Sequence, residues 1–244
     1  MPDNEKYFFQ NLSAIVGSNL IAKSIGKNVT RNDVFLDKDF RRHGLPHEIE
    51  LMFAMMLKEL LSTGSIGSGS LSHHVDGMFI NHTKYGSRII EFDEEQHFTP
   101  FRSVSLRYVS SQVKTISLTQ FQVYYRNVDY FNRMLRKHRL KVTIKEVPET
   151  VNIFISLIQN YARQSNGYIE PKTGFNFVGG RIAQRAYYDS LKDIAHLSPT
   201  NSHLDLPLRF SMFEFEEEAC KRFNLIPQNQ LRTMIEHRLY TLAN

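Results

Sequence analysis

Apolar positions along the chain predict alternating helices and strands. Residues 7–25 (YFFQNLSAIVGSNLIAKSI) repeat apolar side chains at helical spacing and predict a first helix. Residues 28–45 are polar and charged, as expected of a solvated connector. Pro46 then opens PHEIELMFAMMLKELLS, where proline suits the first turn and Glu48 and Glu50 complement the helix dipole. Apolar residues at 49, 52, 53, 56, 57, 60 and 61 give this helix a wide core-facing stripe. It stops in a Gly/Ser loop, 63–70, which lacks the Gly-x-x-x-x-Gly-Lys-Ser/Thr spacing of a nucleotide P-loop.

Two strand-like runs follow, 71–80 and 87–93, and the short polar connection between them ends in Gly86, which predicts an antiparallel hairpin. Folding the chain about residues 83 and 84 brings Asp76 opposite Glu91. Glu91 and Asp93 then share one face of the second strand, and Ile90 and Phe92 the other. Downstream, 104–111 and 113–118 read as strand-like pieces, 120–139 as a helix with a basic end, and 141–147 as an alternating strand. A helix starts at Pro148, and a glycine-rich loop covers 166–180. The next helix sets Arg181, Arg185, Asp189 and Lys192 at near-helical spacing. A strand is expected within 203–215, and a last helical region from Glu216. The expected fold class is α/β, a mixed central sheet flanked by helices, with helices dominating the carboxyl half. Neither repeats nor a linker divide the chain, so one domain over 1–244 is expected, with its core over 46–118 and a basic helical portion over 119–244.

Composition narrows the function classes. The 244 residues are 41% hydrophobic and 23% charged, which suits a folded chain with a sizeable core. A net charge of +5 favours an anionic partner and is compatible with nucleic acid, but is too mild to single it out. The lone Cys220 excludes internal disulfides and multi-cysteine zinc sites, and Glu216, Glu217 and Glu218 before it disfavour a thiolate. The amino terminus does not read as a signal peptide and no run of eighteen apolar residues occurs, so no membrane span and a cytoplasmic location are expected.

The candidate chemistry lies in IIEFDEEQHF, residues 89–98, together with Asp76. Ionised carboxylates at the end of a buried strand are costly to desolvate without a partner, and a divalent cation is a leading candidate. Asp76, Glu91 and Asp93 on adjacent strands suit Mg²⁺, with Mn²⁺ as a substitute, because the metal prefers carboxylate oxygens and keeps several waters. His73 and His74, on adjacent strand positions, would face opposite sides.

A helix containing Glu48, then Asp76, then Ile-Ile-Glu-Phe-Asp-Glu-Glu-Gln-His-Phe resembles the PD-(D/E)XK nuclease superfamily. Within it, the closer likeness is to the endonuclease branch whose core reads Asp … Ile-Glu-Tyr/Phe-Asp-x-x-Gln-His-Phe. The resemblance covers about residues 46–118, its specific motif 76–98. It implies a restriction-endonuclease-like fold and a Mg²⁺-dependent DNA endonuclease of a restriction or other defence system, acting as a homodimer. It implies Asp76 and Glu91 as metal ligands, Asp93 assisting, and Glu48 or Glu50 as the added helix glutamate. Gln96 or His97 would orient a water or contact a phosphate. The chain departs from the pattern at two places: Val75 stands where a proline is usual, and Asp93 stands where the lysine is usual. Lys114 is a candidate for the displaced cation, while Arg181, Arg185 and Lys192 are candidates for DNA-backbone contacts. Two rival readings are a metal-dependent phosphohydrolase using His73 and His97, and a non-catalytic nucleic-acid-binding protein on a decayed nuclease fold.

Overall fold

The computed structural model describes residues 4–94, 97–112, 171–177 and 179–243. Its described residues form an α/β structure with one four-stranded mixed sheet. In chain order the α-helices and strands are α1 (Asn4–Val16), β1 (Leu20–Ala22), α2 (His47–Glu59), β2 (Gly77–His82), β3 (Gly86–Asp93), α3 (Pro100–Gln112), α4 (Gly180–Asp193), β4 (Leu208–Ser211), α5 (Met212–Ala219) and α6 (Gln228–Ala243). The strands lie in the order β1-β2-β3-β4, antiparallel except for the parallel β3–β4 pair.

The chain forms two compact units, each assembled from separated stretches. The first comprises Met1–Asp37, Ser70–Glu95 and Lys192–Asn244, and the second Lys38–Gly69 and Gln96–Leu191. The sheet belongs to the first unit. One face of β3 supplies Ile90 and Phe92 to a core shared with Phe8 and Phe9 of α1, Phe215 of α5, and Leu231 and Ile235 of α6. Phe8 stacks on Phe92 with ring centroids 4.6 Å apart. A Cβ at Gly77 would run into the Phe9 ring and come within 3.2 Å of Ala22 Cβ, so β2 needs glycine where α1 packs against it.

In the second unit, the buried face of α2 presents Met52, Phe53 and Met56. Phe53 stacks on Phe40 at 5.5 Å and meets Tyr187 edge-on at 5.9 Å. The Tyr187 hydroxyl donates to Lys38 O at 2.8 Å and accepts the Phe40 N–H at 3.3 Å. Glu59 binds both Arg107 and the Tyr108 hydroxyl, joining α2 to α3.

Three sequence expectations change. The first helix ends at Val16 rather than running to 25. Gly17 adopts φ +74°, which breaks the helix, and Leu20–Ala22 becomes the edge strand that pairs with Phe79, Met78 and Gly77. The strand expected from 71 begins at Gly77, because Ser72–His74 form a 3₁₀ turn pinned by the Ser72 hydroxyl donating to Val34 O at 2.6 Å. Residues 104–111 are helical rather than extended. Thr99 Oγ1 accepts the Arg102 N–H at 3.2 Å and so caps α3, a local signal that outweighs the apolar–polar alternation of residues 104–108. The expectations for 113–118, 120–139, 141–147 and the helix from Pro148 lie outside the described residues.

Candidate functional site

The β2–β3 hairpin sets the centre of the site. Gly77 pairs with Ile90, Met78 with Ile89 and Phe79 with Arg88, and continuing that register places Asp76 opposite Glu91. The Asp76 N–H donates to Glu91 Oε1 at 3.3 Å. In return, Asp76 Oδ2 accepts the Phe92 N–H at 3.0 Å. The two carboxylates are thereby cross-tied to each other's strand. Glu91 is fully buried, and Asp76 lies half-buried beside it.

Lys192, at the end of α4, supplies the cation. Its Nζ donates to Glu91 Oε2 at 2.6 Å, with the ammonium 7% exposed and the carboxylate 0%. Two residues along β3, Asp93 meets Arg209 of β4, whose Nη1 donates to Asp93 Oδ1 at 2.7 Å. Arg209 Nε donates in turn to Asp193 Oδ1 at 2.6 Å. The acidic face of β3 is therefore met by a short ladder of ion pairs, which is how a buried strand can end in carboxylates. These six side chains carry four carboxylates against two cations.

Burial pushes the Asp76 carboxyl well above the usual carboxylate range. The Glu91 charge pushes in the same direction, and Lys192 and the Phe92 N–H offset only part of the rise. Among the described residues no group of three or more His, Cys, Asp and Glu side chains is arranged to hold a metal ion. Asp76 and Glu91 are the carboxylates that could hold a cation such as Mg²⁺, which is bound through one or two carboxylates and otherwise by water.

The remaining predicted site residues are distributed differently. Asp93 is held by Arg209. Lys192 is buried on Glu91, since a lysine ammonium inside a protein needs a carboxylate. Glu48 lies exposed on the first turn of α2, in the second unit. His73 and His74 sit side by side in the 3₁₀ turn with ring centroids 3.9 Å apart, not on opposite faces of a strand. In the second unit, His97 Nδ1 lies 2.9 Å from Asp189 Oδ2, both side chains being buried. On α4, Arg181 is exposed and Arg185 half-buried. Gln96 and Lys114 lie outside the described residues.

Sequence reasoning did not single out Asp193 and Arg209. Each carried a signal. Asp193 is an acid in the last turn of a helix, where the dipole disfavours it. Arg209 is a charge inside the buried strand Leu208–Ser211, the same anomaly that marks Glu91. No family model, curated protein or solved structure matches the chain. Among the described residues no helix is long and apolar enough to cross a membrane.

Proposed function

We propose that this protein is a Mg²⁺-dependent DNA endonuclease with a restriction-endonuclease-like core, serving a restriction or other defence system as a homodimer. The observation that carries the reading is the register-matched Asp76–Glu91 pair with the Lys192 ammonium bound to it. Asp76 and Glu91 would hold the cation, Mn²⁺ being an acceptable substitute. Bound there, the metal would offset charge on a phosphoryl oxygen and lower the pKa of a bound water. Lys192 fixes the Glu91 carboxylate in place and brings a positive charge to a centre where a phosphodiester would gain negative charge. Arg209 keeps Asp93 neutralised, so the second acid of β3 adds no further repulsion. The exposed Arg181 is suited to contact a DNA backbone without reading sequence.

The test incubates purified protein with supercoiled plasmid and Mg²⁺ or Mn²⁺, beside the Glu91→Ala variant. Nicking or linearisation by the wild type alone is the expected result. Intact plasmid with the wild type, across metals and DNA sequences, refutes the reading. A second reading rests on the ion pairs already made by Glu91 and Asp93: a nucleic-acid-binding protein whose acids have become structural. DNA binding that survives Asp76→Ala with Glu91→Ala, in a protein that never cuts, would favour it.

A further inference from the structure

Arg209 joins β4, β3 and the last residues of α4, Lys192 and Asp193, which belong to the first unit. Its own strand, β4, runs parallel to β3 with Arg209 in register with Glu91. Its Nη1 holds Asp93 of β3 at 2.7 Å and its Nε holds Asp193 of α4 at 2.6 Å. The three side chains are at most 4% exposed, so salt screens these bonds little.

Asp193 directly follows Lys192. A lysine side chain has four rotatable bonds and loses about 2 kcal/mol of rotamer entropy when one geometry is imposed. Holding its ammonium on Glu91 therefore requires that the helix end carrying it be fixed. Asp193 is unfavourable to the helix dipole at that end, and its bond to Arg209 compensates for the placement. A fork-shaped guanidinium suits this work better than an ammonium, because it can grip two carboxylates in fixed directions.

We propose that Asp193 and Arg209 are positioning residues for Lys192. By clamping the end of α4 to β3 and β4, they hold the Lys192 ammonium on Glu91. The inference deepens the nuclease reading and rests on it for its catalytic consequence, but the clamp itself is a statement about Glu91 and Lys192 alone.

The test uses double-mutant cycles on the full chain. In urea unfolding, the coupling between Glu91→Gln and Lys192→Met is measured in the wild-type and Asp193→Asn backgrounds. Loss of more than half of that coupling in the Asp193→Asn background is expected, and an unchanged coupling overturns the clamp whether or not the protein cuts DNA. In plasmid cleavage, Asp193→Asn is expected to lower kcat tenfold or more with KM within twofold. Added to Lys192→Met, it should lower kcat no further. Losses that multiply would instead mark Asp193 as a separate structural support and refute positioning. Arg209→Lys, which keeps the charge and loses the fork, gives the same pair of readouts if Asp193→Asn does not fold. Failure of the wild type to cleave removes the nuclease reading and leaves the coupling measurement to decide the clamp.

Discussion

Removing the ammonium of Lys192 is the most informative single perturbation of this protein. Lys192 Nζ and Glu91 Oε2 are 2.6 Å apart and almost wholly buried. At an effective dielectric of about 20, opposite unit charges at that distance attract by about 6 kcal/mol. The net effect is smaller, because Lys192→Met also spares the desolvation of the ammonium. It leaves the Glu91 carboxylate buried beside Asp76 without its cation, and breaking a buried pair from one side costs about 3–5 kcal/mol. For a chain of this size each kcal/mol moves the midpoint by about 2–4 °C, so a fall of roughly 10 °C is expected in thermal unfolding. Added salt should barely change that difference, since the pair is shielded from ions. The assay is calorimetry of wild type and Lys192→Met at pH 7 in low and high salt. A loss of less than about 1 kcal/mol, the value of an exposed pair, would refute the assignment of Lys192 to a buried ion pair.

Two further outcomes follow from the first unit. The Asp76 carboxyl is raised by burial and by Glu91, so its ionised form destabilises the fold. Its contribution is therefore fully present below the unfolded value of about 3.9 and is lost as pH rises through the folded one. Asp76→Asn, which keeps an acceptor for the Phe92 N–H, should thus unfold at higher urea than wild type at pH 7 and match it below about pH 4. Added Mg²⁺ should raise the wild-type midpoint and leave Asp76→Asn unmoved; a variant less stable than wild type at pH 7 would reverse the sign of the argument. Gly77→Ala forces a methyl into the Phe9 ring, which is fully buried, and should cost about 1–3 kcal/mol in urea unfolding. A neutral Gly77→Ala would mean that α1 can move away from β2.

Much of the centre was legible in the sequence because it is local. Counting about residues 83 and 84 sets Asp76 opposite Glu91, and beyond the register shift between Phe79 and His82 the strands pair in that register, Gly77 with Ile90. The wide apolar stripe after Pro46 likewise predicts α2. The errors were local as well. Residues 104–108 alternate apolar and polar as a strand would, and the Thr99 cap is the local signal for the helix.

Residue chemistry alone requires that buried charges on β3 have partners, since desolvation makes a bare carboxylate untenable wherever the chain goes. It could not say which partners. Lys192, Asp193 and Arg209 lie 101, 100 and 116 residues from the acids they help to hold or neighbour in the ladder (Glu91, Asp93 and Asp93 respectively), and no periodicity reaches across such separations. The tertiary structure decided that, by closing β4 in parallel register beside β3 and bringing the end of α4 to its acidic face. It thereby made Lys192 the counter-ion of Glu91 and set Asp93 in a buried ion pair with Arg209.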